Sequence, residues 1–282
     1  MLNCNTISRR EQSSWVWLGC DSHSEMNTKT RRYQEAEVIA ACSVSVCFPA
    51  YNEHRTVEAV LREADELLRG SSLEYEILVC DDGSNDGTEM VLGRLAAEIP
   101  GMRLIRHEKN LGIRATFEHL YSEARKDFVF LNSTDQQWQT SVLFDLLPLV
   151  REWDIAIASR IDKHYGWTRA LVSWVFNGIP RWLFGVMTYD AGAVKLVRRE
   201  IIGRFDLVSR SPFSEAERLI RAARFGYRIA DHPVRTRPRL AGKSTGVQFS
   251  SVAQALADVC RVWWALRRDT ARDRRDTIID TR

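Results

Sequence analysis

The 282-residue sequence has no C-x-x-C pair and no cysteine spacing of metal-binding type, although it carries cysteines at 4, 20, 42, 47, 80 and 260. That excludes the common zinc modules and favours a reduced, cytosolic compartment over a disulfide framework. Cys47 and Cys80 fall inside predicted core strands, where cysteine behaves as a small hydrophobe. Residues 1–25 lack the apolar stretch of a signal peptide. No run reaches the roughly 20 clean apolar residues of a spanning helix; the richest, Ala170 to Met187, is broken by Asn177, Pro180 and Arg181. A soluble chain, or one resting on a membrane surface, is expected. The formal net charge is only +3, so bulk charge gives no reason to invoke nucleic acid.

What is present is an ordinary globular composition, 45% hydrophobic and 27% charged. The length suits one large α/β domain with appendages. Residues 1–40 show no period and read as a poorly ordered extension. From Ser43 strands and helices alternate: strand 44–48, helix 55–69, strand 75–80, helix 86–98, strand 103–106, helix 113–125, strand 127–131, helix 140–150 and strand 154–158. Such alternation predicts βαβ units and a mostly parallel central sheet flanked by helices. Beyond Arg160 comes an aromatic and basic stretch with Trp167, Trp174 and Trp182 near Arg169 and Arg181. A short strand 193–197, a helix 214–225, strands near 227–231 and 233–237 and a helix 247–268 follow. The last is amphipathic, with Phe249, Val252, Leu256, Val259, Trp263 and Leu266 on one face. The domain is bounded at 41–268, in halves 41–160 and 161–268, and 269–282 is a charged, frayed tail.

Two loops carry the chemistry. Pro49-Ala50-Tyr51-Asn52-Glu53 and Cys80-Asp81-Asp82-Gly83-Ser84-Asn85-Asp86-Gly87-Thr88 each follow an apolar strand and precede a helix. Ligands of open α/β sheets bind at the carboxyl ends of strands, so both loops face one cleft. They bring Glu53, Asp81 and Asp82 there without a glycine-rich phosphate cradle. That combination suits the base and ribose of a nucleotide and points to a nucleotide-sugar enzyme. At Asp81 and Gly83 plain turn chemistry competes with this reading.

These segments, with Asn110-Leu111-Gly112, Phe130-Leu131-Asn132-Ser133-Thr134-Asp135-Gln136-Gln137, Ser159-Arg160 and Arg239 through Ser244, resemble the family 2 glycosyltransferases, within them the dolichyl-phosphate mannosyltransferase-like group. The resemblance covers about Val44 to Leu266. It implies a single nucleotide-diphospho-sugar transferase domain of GT-A type with C-terminal amphipathic helices, residues 41–160 binding the nucleotide sugar and 161–268 the acceptor. It implies that Pro49, Tyr51, Glu53, Cys80, Asp82, Ser133 and Thr134 line the donor, Asp82 accepting from the base N–H. The family's D-x-D segment reads Ser133-Thr134-Asp135 here, leaving Asp135 and Gln137 as expected ligands of a divalent cation, Mg²⁺ or Mn²⁺, that enters with the donor diphosphate. Arg160 matches a family arginine near the nucleotide sugar, where a surface arginine at a strand end competes, and Arg239, Lys243 and Thr245 fall in a family loop that closes on phosphate groups. Thr245 stands where the family has lysine, and Lys243 supplies the charge. Glu217 and Asp190 match acidic positions on the acceptor side, where a solvated helix face and a turn compete.

The implied reaction is inverting transfer of a hexose-type sugar to a polyprenyl phosphate at the inner face of a membrane, with Asp135 and Gln137 as the residues at the leaving diphosphate. A soluble hydroxyl acceptor, with Glu217 or Asp190 as base, is the second expectation; a non-catalytic nucleotide-sugar binder is the third. Gly242-Lys243-Ser244-Thr245-Gly246 fits the nucleophile-elbow pattern, but no histidine follows His232. It also ends like a P-loop, yet Arg237 replaces the first glycine.

Overall fold

Apolar runs too short for helices become strands stacked side by side. In the computed structural model, which describes residues 42–161, 178–187, 192–237 and 249–280, seven strands form one sheet. These are β1 Ser43–Ala50, β2 Glu74–Asp81, β3 Met102–Arg106, β4 Phe128–Leu131, β5 Ile155–Arg160, β6 Lys195–Arg198 and β7 Ile229–Val234, in the order β3-β2-β1-β4-β6-β5-β7. The β3-β2-β1-β4 and β5-β7 pairings are parallel, whereas β6 runs antiparallel to both β4 and β5. From β1 the chain proceeds outward to β2 and β3, then returns to place β4 on the other side of β1. That reversal opens a crevice at the carboxyl ends of β1 and β4, where α/β sheets bind ligands.

The helices are α1 Val57–Arg69, α2 Thr88–Glu98, α3 Ile113–Glu123, α4 Val142–Leu146, α5 Ile179–Phe184, α6 Arg199–Ile202, α7 Ser214–Arg224 and α8 Phe249–Asp280. In α1 the buried positions Val57, Val60, Leu61, Ala64 and Leu68 make one stripe at helical spacing, which covers the sheet. The strand interiors are fully buried: Val46, Phe48, Leu78, Val79 and Phe130 belong to a single core.

The structure departs from the sequence expectations in four places. The predicted helix 140–150 divides into α4 and a 3₁₀ turn, Leu147–Arg151, where Pro148 has no N–H for an α-helical bond. The strands expected near 227–231 and 233–237 are one strand, β7, because Pro233 sits in an edge strand, where a missing N–H can face away from the ladder. The last helix continues past 268 to Asp280, since 269–280 holds neither glycine nor proline to break it. Within α8 the buried face is Ala255, Asp258, Val259, Val262 and Leu266, while Leu256, expected inside, is exposed. Val259 and Leu266 pack inward as expected, with Trp263 half-buried. The expected extension 1–40 lies outside the described residues.

A buried carboxylate ties the parallel strands together. Glu76 on β2 accepts hydrogen bonds from Ser45 Oγ on β1 (2.6 Å), the Arg125 backbone N–H (2.8 Å) and Arg103 on β3 (3.1 Å). Burial alone would raise its pKa, but these bonds outweigh it and hold the carboxyl below its ordinary value. A depressed folded-state pKa gives stability that is complete above the unfolded value, about 4.3, and is lost as pH falls through the folded value. Glu76→Gln is therefore predicted to cost about 1–3 kcal/mol at neutral pH. Its stability should fall less steeply than the wild type's between about pH 5 and 3, which urea unfolding across that range checks.

Candidate active site

The carboxyl end of β1 organises two loops at once. Its carbonyls accept from the next strands' loops: Ala50 O from Asp82 N (2.8 Å), Cys47 O from Asn132 N (2.9 Å) and Pro49 O from Thr134 Oγ1 (2.9 Å). Beyond β1 the chain turns at Asn52, whose φ of 56° lies in the left-handed region that asparagine tolerates. The Asn52 backbone N–H donates to Ser84 Oγ (2.9 Å), and its side-chain oxygen accepts from Asn85 N (3.0 Å). Glu53 N donates to Thr88 Oγ1 (2.8 Å), while Glu53 O accepts from Thr56 N and Val57 N and so begins α1. The 49–53 and 80–88 loops, distant in sequence, are laced into one rim. Asp86 anchors the second loop. Burial opposes its charge, but bonds from Thr88 and His54 bring its carboxyl down to about 2.

A cavity of about 650 Å³ opens between these loops and the end of β4. Its wall includes Pro49, Tyr51, Glu53, Asp82, Asn110, Gly112, Ser133, Thr134 and Asp135. Tyr51 is 44% exposed, so its ring is available to a flat ligand. Asp82 is buried and already engaged: it accepts from Leu111 N (2.8 Å), Gly112 N (2.9 Å) and His107 Nδ1 (2.8 Å). It thereby shapes the wall from which a base would be read, and a carboxylate's roughly four acceptor sites leave it capacity for a ligand N–H. Asp81 makes the turn that competed with a ligand role, accepting from Ser84 N (3.1 Å). Gly83 adopts φ +70°, and a Cβ there would lie 2.5 Å from the Lys109 carbonyl carbon, so the close approach of these loops depends on glycine.

At the end of β4, Ser133 Oγ donates to Asp135 Oδ1 (2.5 Å), which also accepts from Gln137 N (3.1 Å). Gln136, at φ 61°, turns the chain so that Asp135 and Gln137 both face the cleft region. A second cavity of about 190 Å³ shares Pro49, Ile113, Ser133 and Asp135 with the first and adds Gln137, Trp138, Arg160 and Lys195. Arg160 lies 5.8 Å from the Trp138 ring centroid, a cation–π distance. Lys195, buried on β6, donates to Glu215 Oε2 (2.7 Å), which also accepts from Tyr121 Oη (2.9 Å). Sequence reasoning missed Lys195, although a lysine inside a predicted strand was the available signal.

Other expected residues fall elsewhere. Cys80 is fully buried and lines neither cavity; its Sγ lies 3.6 Å from His107 Nε2, and burial pushes the thiol up to about 12. Glu217 is not on a solvated helix face: it is completely buried and accepts from Val208 N, Ser209 N and Arg221 Nε at 2.8–3.0 Å. It straps the 208–211 loop, together with Asp258 of α8, which accepts from Arg210 N and Ser211 N. Asp190, Arg239, Lys243, Thr245, Trp167 and Trp174 lie outside the described residues.

Comparison with known proteins agrees with this geometry. The model of the family described as glycosyl transferase family 2 matches residues 45–215. Glycosyltransferase AglD of Haloferax volcanii is 30% identical over 267 residues, which are 90% of this chain and 42% of that protein. The chain spans about half the length, or less, of this and three further curated relatives. Undecaprenyl-phosphate mannosyltransferase of Micrococcus luteus is 28% identical over 235 residues, 79% of this chain and 94% of that protein. Among solved structures, glucosyl-3-phosphoglycerate synthase from Mycobacterium tuberculosis, in complex with Mn²⁺, UDP and phosphoglyceric acid, superposes with a TM-score of 0.63. It is 18% identical, covers 81% of each chain and shares the fold. With both acidic loops and the Asp135 segment inside the matched residues, the chain belongs to glycosyl transferase family 2.

Proposed function

We propose that this chain transfers a hexose-type sugar from a nucleoside-diphosphate sugar to a polyprenyl phosphate, inverting the anomeric carbon. The observation that carries the reading is the meeting of Tyr51, Glu53, Asp82 and Asp135 around one cavity, continuous with a second that is lined by Arg160 and Lys195. The first has the ring face and acceptors for a nucleoside, the second the Arg160 guanidinium for phosphate, with Lys195 paired to Glu215 behind it. Relatives named as undecaprenyl-phosphate and dolichol-phosphate transferases support a lipid phosphate acceptor.

Asp135 and Gln137 offer a carboxylate and an amide oxygen, hard donors that fit Mg²⁺ or Mn²⁺ when substrate phosphate and water complete the shell. Such an ion, when bound, would neutralise charge that grows on the departing diphosphate. The Ser133 bond to Asp135 fixes that carboxylate's orientation, and Thr134 pins the segment to β1. Tyr51 and Glu53 hold the nucleoside, and Arg160 directs its guanidinium to phosphate oxygens. An acceptor phosphate oxygen bonds the anomeric carbon as the bond from that carbon to the diphosphate breaks. A phosphate is already ionised near neutral pH, so the step needs no strong protein base. The hydroxyl-acceptor reading needs one; of its two candidates, Glu217 is buried and holds Val208 N, Ser209 N and Arg221, and Asp190 lies outside the described residues.

No helix of the described residues is long and apolar enough to cross a membrane. In this reading the lipid acceptor is met by peripheral contact at the inner face of a membrane. Trp182 on α5, 86% exposed beside Arg181, has the character of a headgroup-level anchor.

Asp135→Ala is predicted to lower kcat by about 10²-fold or more with unchanged circular dichroism; product measured by mass spectrometry with a short polyprenyl phosphate, with and without chelator, checks it. Gly83→Ala should weaken donor binding by about tenfold, from backbone strain of about 1–3 kcal/mol passed to the 109–112 loop, as read by calorimetry. Trp182→Ser should reduce flotation with anionic liposomes; unchanged flotation would remove this residue from membrane contact.

A further inference from the structure

Behind the wall of the donor cavity, three side chains with metal-ligating atoms meet from three elements: Cys80 at the end of β2, His107 just after β3 and His119 on α3. Their ligand atoms all lie within 4.8 Å of one another. Cys80 Sγ is 3.6 Å from His107 Nε2, and that nitrogen is 3.0 Å from His119 Nδ1. A tetrahedral ion with bonds of about 2.3 Å to sulfur and about 2.0 Å to nitrogen sets S···N near 3.6 Å and N···N near 3.3 Å. Those two separations are within a few tenths of an ångström of these values, and the third, Cys80 Sγ to His119 Nδ1, is within 4.8 Å.

We propose that Cys80, His107 and His119 bind a soft divalent transition metal of the zinc type, at a site separate from Asp135 and Gln137. One thiolate with two imidazoles selects such an ion over Mg²⁺ or Mn²⁺, which prefer oxygen. A second observation supports the assignment. The other ring nitrogen of His107 is 2.8 Å from Asp82 Oδ1, the carboxylate–histidine arrangement that fixes a metal-binding tautomer. The Cys80 Sγ and His119 Nδ1 both lie within reach of the remaining nitrogen, His107 Nε2, and a cation accepts all three groups as ligands. Cys80 and His107 are buried and His119 is half-buried, and three protein ligands leave the fourth tetrahedral position to water.

The site would also brace the donor pocket. Asp82 holds His107 with one oxygen and, through Leu111 N and Gly112 N, the loop that walls the cavity. A metal on His107 would fix the same carboxylate from behind.

The test is titration of the chelator-treated full chain with Co²⁺ under a non-coordinating reductant. The expected result is one tightly bound equivalent with a thiolate-to-cobalt charge-transfer band and the strong visible bands of a four-coordinate ion, displaced by Zn²⁺. Cys80→Ser should abolish the charge-transfer band and His119→Gln the strong visible bands, while Asp135→Ala keeps both. Circular dichroism reports whether Cys80→Ser folds; if it does not, His119→Gln, at a half-exposed helix position, decides. Absence of both signals from the wild type, or their persistence in the His119 and Cys80 variants through thiols such as Cys42 or Cys260, would overturn the proposal.

Discussion

The site rests on the carbonyls at the end of β1. Cys47, Pro49 and Ala50 accept from Asn132, Thr134 and Asp82, so one central strand fixes both the loop that follows β2 and the loop that follows β4. Because β1 lies between β2 and β4 with parallel register on each side, the Asp82 and Asn132 bonds continue the sheet ladders beyond the last paired residues, and the Thr134 hydroxyl adds a side-chain bond. The acidic side chains are then carried on backbone that has little freedom to move, which is the preorganisation the proposed donor pocket requires. Glu76 performs the same kind of bracing within the sheet, joining three strands and the turn before β4 through one buried carboxylate.

Much of this was legible in the sequence because the strongest patterns are local. The βαβ alternation from Ser43 gave the parallel half of the sheet, and each acidic loop followed an apolar run that could only be a buried strand. The convergence of Glu53, Asp82 and Asp135 follows from strand order, once the loops sit at the carboxyl ends. The insertion of β6 antiparallel between β4 and β5 was not legible, since a four-residue strand gives no directional signal. The solvated face that competed for Glu217 was the wrong reading, because the 208–211 loop packs over it and donates backbone N–H groups that a helical pattern does not reveal. The Cys80–His107–His119 cluster escaped a search for metal spacing because its members come from three separate elements.

The serine in place of the first carboxylate of the family's D-x-D segment has a structural consequence of its own. Ser133 spends its hydroxyl on Asp135, and the remaining carboxylate is positioned by a hydrogen bond instead of sharing a cation with a second acid. The neighbouring cavity gathers Arg160 and Lys195, with Lys195 held in place by the buried Glu215 and its Tyr121 and Arg218 partners. Basic side chains thus reach that cavity from β5 and β6, away from the segment that lost a negative one.

The most direct measurement is a crystal structure of the chain soaked with a nucleoside diphosphate and Mn²⁺. The account predicts the nucleoside between Tyr51 and the Asp82–Gly112 wall, and the diphosphate with its ion beside Asp135 and Gln137. A nucleotide bound at any other face of the sheet, with that cleft holding only water, would contradict it.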